Sequence, residues 1–189
     1  QQEITLPTDG ESETVRVRFK AGENGPRVFR FRIPPMGDES VPQNNQRDLL
    51  TEVYDGRQKV LYLEGEPRPE AKFARLATEK DDNIQLVLLQ RTAEATVRVP
   101  DKFLRLGVDD GEELLNGFPA TREELYKYRS IILGTIEAGA FTPDQQRMLE
   151  DFVDVRGGSL LAIGGRRSFS EGGWGGTPLS NALPLTLDR

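Results

Sequence analysis

The stretch from Ile131 to Ile163 restricts the fold more than any other part of the chain. It opens on Ile131-Ile132-Leu133-Gly134, closes on Leu160-Leu161-Ala162-Ile163, and carries a strong helix signal between them. Thr142-Pro143-Asp144-Gln145 supplies an N-cap threonine, a proline at the first helical position, an early acid and a glutamine three residues after the cap. That is the residue set of a capping box on a favourably charged first turn. Met148, Leu149, Phe152 and Val153 then recur at helical spacing on one face, and Gly157-Gly158 stand where a left-handed stop is expected. Continuously apolar strands are typical of parallel sheets covered on both faces, so the stretch predicts a βαβ unit. Ligands of open α/β sheets collect beyond the carboxyl ends of the strands, and the glycine-rich loop from Gly164 to Gly176 lies at such an end.

The same rhythm occurs earlier. Lys59-Val60-Leu61-Tyr62-Leu63 reads as a strand, Pro67-Arg68-Pro69 leads into a helix with Phe73, Leu76 and Ala77 on one side, and Ile84 to Leu89 is again nearly all apolar. Residues from about 57 onward therefore predict an α/β domain with a mostly parallel sheet. Between the two βαβ units, Thr96 to Val99 is an ambiguous extended piece and Asp109 to Asn116 predicts a short helix stopped at Gly117. Thr121-Arg122-Glu123-Glu124 reads as a second capping box, opening a helix that carries Leu125 and Tyr128.

Residues 1–56 have a different period. Val15, Val17 and Phe19 alternate with Arg16, Arg18 and Lys20; turn residues follow from Gly22 to Pro26; Phe29, Phe31 and Ile33 alternate with Arg30 and Arg32. This predicts a hairpin between those two runs, with Leu49 to Tyr54 as a further strand. Three or four strands would make the last part of an immunoglobulin-like β-sandwich. The chain opens at Gln1 without methionine and closes on Leu187-Asp188-Arg189, and it reads as an excised piece.

Composition removes whole classes of chemistry. Among 189 residues there is neither cysteine nor histidine, which excludes thiol nucleophiles, histidine bases, Ser-His-Asp triads and most zinc or copper sites. A net charge of −6 with scattered arginines gives no footprint for nucleic acid. No apolar run approaches the roughly 18–20 residues of a bilayer span.

Candidate site residues gather at the expected carboxyl edge. Gly164, Gly165, Arg166, Arg167 and Ser168 form a turn that is either an anion or ligand cradle or a surface loop whose Phe169 and Trp174 pack on the sheet. Glu64, Glu66 and Arg68 follow the first strand of the domain and Glu137 follows a third, so carboxylates and guanidinium groups converge as an ion-pair network or as the lining of a crevice. The loop is neither a P-loop nor a dinucleotide-binding fingerprint. No cofactor or metal is implied.

Val60-Leu61-Tyr62-Leu63-Glu64-Gly65-Glu66-Pro67-Arg68-Pro69-Glu70, Gly117-Phe118-Pro119, Phe141-Thr142-Pro143-Asp144-Gln145, and Arg156-Gly157-Gly158-Ser159-Leu160-Leu161 continuing to Gly172-Gly173-Trp174 together resemble a domain of large bacterial membrane proteins. These are usually described as class I glutamine amidotransferase-like, and the resemblance covers about residues 57–189. It implies a flavodoxin-like fold, cut short at its carboxyl end, in a membrane-anchored parent with von Willebrand factor A and immunoglobulin-like regions. It also implies a periplasmic location, and partners that are proteins or other domains of the parent chain, with membrane contact through segments outside this chain. Such amidotransferases use a cysteine, a histidine and a glutamate; here the turn after Ile163 carries Gly164, Gly165 and Arg166. The expectation is a non-catalytic binding or assembly module contacting partners through Arg166, Arg167, Ser168, Glu64, Glu137 and the apolar area of Trp174. The alternative is a carboxylate- or metal-dependent hydrolase or transferase in the same crevice.

Overall fold

Apolar side chains on alternating positions pull two strands together near the amino end. In the computed structural model, which describes residues 8, 10–35, 37, 39–94 and 101–187, contacts divide the chain into two units, Gln1–Asp55 and Gly56–Arg189. The first unit contains β1 (Gly25–Arg32) and β2 (Gln46–Val53), paired antiparallel in a two-stranded sheet. Phe29 stands opposite Leu49 and Arg30 opposite Asp48. Arg30 grips that carboxylate with a fork, Nε to Oδ1 at 2.9 Å and Nη2 to Oδ2 at 2.8 Å.

These pairs correct the expected hairpin. Val15 to Phe19 is not a strand; its Phe19 ring packs 4.7 Å from that of Phe29, centroid to centroid. The strand partner of β1 is the later run, which matches it with an apolar pair and an ion pair in register, each a recognised source of sheet stability. Two strands thus stand, among the described residues, where a partial sandwich of three or four was expected. Thr96 to Val99 lie outside the described residues.

The second unit is an α/β domain. β3 (Gln58–Glu64), β4 (Ile84–Ala93), β5 (Lys102–Leu106), β6 (Ser130–Leu133) and β7 (Ser159–Ala162) form one sheet in the order β5-β4-β3-β6-β7. All neighbours are parallel except β4 and β5, so the sheet is mixed. The antiparallel β5 is a strand that the sequence did not single out in the ambiguous region between the two βαβ units. From β3 the chain steps outward to β4 and β5, then returns to the other side of β3 and steps through β6 to β7. The strand order therefore reverses between β3 and β6, and their carboxyl ends are the switch point where such sheets take ligands.

Helices close the two faces unequally. α2 (Arg122–Leu125) and α3 (Pro143–Asp154) lie on the face of Leu61, Leu63, Val87, Leu89, Ile131 and Leu133, whose cluster also includes Leu149, Phe152 and Trp174. α1 (Pro69–Thr78) covers Tyr62, Leu86 and Leu88 on the other face through Ala71 and Ala74. The helical phase set at Pro69 turns Phe73 outward, 65% exposed, with Leu76 also exposed. The side shared by Phe73, Leu76 and Ala77 is thus the exposed one, and Ala71 and Ala74 face the sheet. β7 is likewise covered on one side only, since it is an edge strand and Leu161 is 55% exposed.

Local chemistry explains where helices form. α3 has the full reciprocal box, with Gln145 N–H donating to Thr142 Oγ1 at 3.2 Å and Thr142 N–H donating to Gln145 Oε1 at 3.0 Å. At α2 the Thr121 hydroxyl accepts from Glu124 N–H, but the Glu124 carboxylate accepts from Ala120 N–H instead of Thr121. That half-formed box supports a single turn. The helix expected over Asp109 to Asn116 is replaced by turns. Asp110 Oδ1 accepts from the N–H groups of Glu112 and Glu113, and such side-chain capture of the backbone competes with a helix.

Candidate functional site

Glu64 ends β3, and its side chain fills the switch point. It is 0% exposed, and the carboxylate accepts from Thr135 N–H at 2.8 Å, Tyr62 Oη–H at 3.0 Å and Arg68 Nε–H at 3.1 Å. Arg68 also donates through Nη1 to the Gly164 carbonyl at 3.1 Å, which ties the end of β3 to the loop after β7. Burial, followed by the adjacent Glu64 charge, pushes the Tyr62 phenol up to about 12. Tyr62 is therefore a neutral donor near neutrality.

Glycines let these groups approach. A Cβ on Gly134 would stand 2.3 Å from Glu64 Oε2, one on Gly65 2.0 Å from the Thr135 carbonyl oxygen, and one on Gly165 2.0 Å from Thr135 Oγ1. Three strand ends are thus pressed together with backbone against side chain.

Glu137 belongs to a second ionic group. Arg91, on β4 and 3% exposed, donates Nη1 to Glu137 Oε1 at 2.6 Å and Nη2 to Oε2 at 2.9 Å, with Nε reaching the Gly65 carbonyl at 3.3 Å. Arg167 stands 3.3 Å from Glu66 and 3.8 Å from Glu137 and also pairs with Glu94. Arg166, beside it in the turn, is exposed and has no hydrogen-bond or ion-pair partner among the described residues.

The loop itself is packed. Ser168 is buried, with its hydroxyl directed at the carbonyl oxygens of Ile163 at 3.1 Å and Gly134 at 3.3 Å. Trp174, 4% exposed, donates Nε1–H to the Ile136 carbonyl at 2.9 Å and sets its ring 5.4 Å from Phe141. Burial corrects the expectation that Trp174 offers apolar contact area, and it also withdraws Ser168 as a surface donor. The space left beside Leu133, Ile163, Ser168, Phe169, Trp174 and Leu179 is about 20 Å³, room for about one water.

Comparison with family models, with curated proteins and with solved structures returned no match.

Of the residues singled out in the sequence, Glu64, Arg68 and Gly164 meet in one cluster, with Gly165 against Thr135 beside it, and Glu137 and Arg167 meet in the adjoining one. Sequence reasoning missed Tyr62, Arg91, Glu94 and Thr135. Arg91 had a readable signal, a charged residue just past the apolar Ile84–Leu89 run and so at a strand's carboxyl end. Thr135 had none, because its part in the site is its backbone N–H.

The Arg91 fork holds the Glu137 carboxyl below its ordinary value of 4.5, a depression that Arg167 deepens and burial opposes. A depressed folded-state value adds stability that is fully present above the unfolded value and is lost as pH falls through the folded one. Acid unfolding should therefore begin as pH drops below 4.5, and Glu137→Gln should flatten that limb. Urea midpoints between pH 7 and pH 3 test this; an unchanged slope in the variant would show that the fork contributes nothing to acid sensitivity.

Proposed function

We propose that the second unit is a non-catalytic, amidotransferase-like binding or assembly module that meets its partners at the carboxyl edge of the sheet. The observation that carries this reading is that the two most buried carboxylates at the edge are already engaged, Glu64 by hydrogen bonds from Thr135, Tyr62 and Arg68 and Glu137 by the Arg91 fork, while the more exposed Glu66 and Glu94 pair with Arg167. A general base or metal ligand must release its partners to accept a proton or an ion, and here release would strand buried Arg91 or Thr135 N–H. Ser168 offers no nucleophile either, since its hydroxyl is buried against two carbonyls in a chain with no histidine to activate it.

The sheet order, with its reversal between β3 and β6, supports a flavodoxin-like arrangement with an added antiparallel edge. Placement in the periplasmic part of a membrane-anchored bacterial protein, with other domains or proteins as partners, is part of the same proposal and rests on the resemblance. No described helix is long and apolar enough to cross a membrane.

Arg166 and Arg167 occupy the middle of the exposed turn closed by Ser168 N–H to the Gly165 carbonyl, and they are the contact residues of this reading. A photo-crosslinking amino acid at position 166, in cells that make the protein, should give discrete adducts that one at exposed Val155 does not. Identical adduct patterns would refute the contact edge. Ammonia release from glutamine by the purified protein that falls with Glu64→Gln would refute the non-catalytic reading.

A further inference from the structure

We propose a second, independent site at the opposite end of the strands, a groove that takes a small molecule with an apolar body and one carboxylate. A cavity of about 500 Å³ opens where α1 leaves the outer part of the sheet uncovered, and Leu86, Leu106 and Val108 line it. The volume lies in the range of small-ligand sites, and such sites combine an apolar lining with a few fixed polar groups.

The rim carries two guanidinium groups, Arg57 and Arg75, and two carboxylates, Glu79 and Asp109, and the cations are the less engaged. Among the described residues Arg57 has no hydrogen-bond or ion-pair partner. Arg75 has a loose exposed pairing with Glu79 at 3.6 Å, which is worth little in water. The other rim acid, Asp109, is already held by Gln85 Nε2 at 2.7 Å and by Lys59. Those bonds, Gln85 first, keep its carboxyl below the ordinary value. The available charge is therefore guanidinium, which prefers planar carboxylates and can hold them with two bonds.

The wall is built to stay in place. Gly107 has φ +76°, and a Cβ there would stand 2.3 Å from the Leu86 carbonyl oxygen, so the turn after β5 lies directly on the groove lining. Gln85 Nε2 donates to the Gly107 carbonyl at 2.9 Å and fixes the same turn from β4. The groove shares no residue with the carboxyl-edge site, so the two proposals stand or fall separately.

Octanoate, 1-octanol and octylamine probe the chemistry. Titration calorimetry on the full chain should show saturable octanoate binding, weakened about tenfold or more in Arg57→Ala/Arg75→Ala and in the switch to octanol. Both substitutions are at exposed or half-exposed positions, and far-UV circular dichroism checks that the variant is folded. Amide shifts on octanoate addition should centre on Gly107 and Val108. The site is refuted by any of these outcomes: no saturable octanoate binding up to about 10 mM, roughly tenfold above a weak 1 mM dissociation constant; octylamine binding as tightly as octanoate; an unaffected double variant; or shifts confined to other parts of the sheet.

Discussion

Glu64→Ala should lower the free energy of unfolding by about 3–5 kcal/mol, the cost of breaking a buried ion pair by removing one partner. Thr135 N–H, Tyr62 Oη–H and Arg68 Nε–H lose their acceptor together, with the longer contact from Glu66 N–H, and the first three cannot turn to water easily. Thr135 is 1% exposed, Tyr62 lies in the core, and the side chain of Arg68 is 19% exposed. Glu64→Gln keeps the shape and one acceptor but leaves Arg68 uncompensated, so it should fall between wild type and alanine. Gly134→Ala supplies the control, since the three atoms nearest the new Cβ all belong to the Glu64 carboxylate, the first at 2.3 Å. Fixed by its three bonds, the carboxylate cannot swing aside. In the Glu64→Ala background the same substitution should be almost harmless, giving a coupling of about 1–3 kcal/mol between the two positions. Urea unfolding followed by tryptophan fluorescence measures all four species. A loss under about 1 kcal/mol in Glu64→Ala would be too small for a buried charge stripped of its partner, and would remove the basis for calling this carboxylate engaged.

This cluster shows where sequence reading succeeds and where it stops. The parallel strands β3, β4, β6 and β7 and the helix α3 were legible because their signals are local: a nearly unbroken apolar run, or a cap whose two partners are three residues apart. Thr121 shows the limit of that locality, since the same residue pattern gives half a box when Glu124 turns to Ala120 instead. Strand partners were not legible near the amino end, where Val15 to Phe19 has the right alternation but Gln46–Val53 has the ion pair and apolar pair in register with β1. At the candidate site, topology could bring Glu64, Arg68 and the glycine-rich loop to one edge from the order of strands alone. It could not say which side chains would be spent on packing. Trp174 shows this: the sequence left open whether it packs on the sheet or offers contact area, and the glycine-rich loop hides it, while the phase of α1 leaves Phe73 exposed.

Trp174→Ala should cost about 3–5 kcal/mol, the range for emptying a core aromatic position, and should loosen the whole turn from Gly164 to Gly176. The indole does two jobs there. Its ring completes an aromatic row, 5.4 Å from Phe141, which in turn meets Phe118 edge-on at 5.0 Å. Its N–H satisfies the Ile136 carbonyl, while the backbone next to it is fixed by Ala138 N–H donating to the Gly172 carbonyl at 2.8 Å. Trp174→Phe separates the two, since it keeps most of the ring but leaves that carbonyl unpaired, and should cost about 1–3 kcal/mol. Because this is the chain's single tryptophan, wild-type emission should be blue-shifted and resistant to iodide quenching, and circular dichroism must follow the variants. If Trp174→Ala were nearly neutral and wild-type emission were quenched freely, the indole would be at the surface. The carboxyl edge would then present an aromatic contact beside Arg166 and Arg167. If both variants lose stability in the stated order, the indole is a strut, and partner contact at this edge falls to the two arginines of the turn it supports.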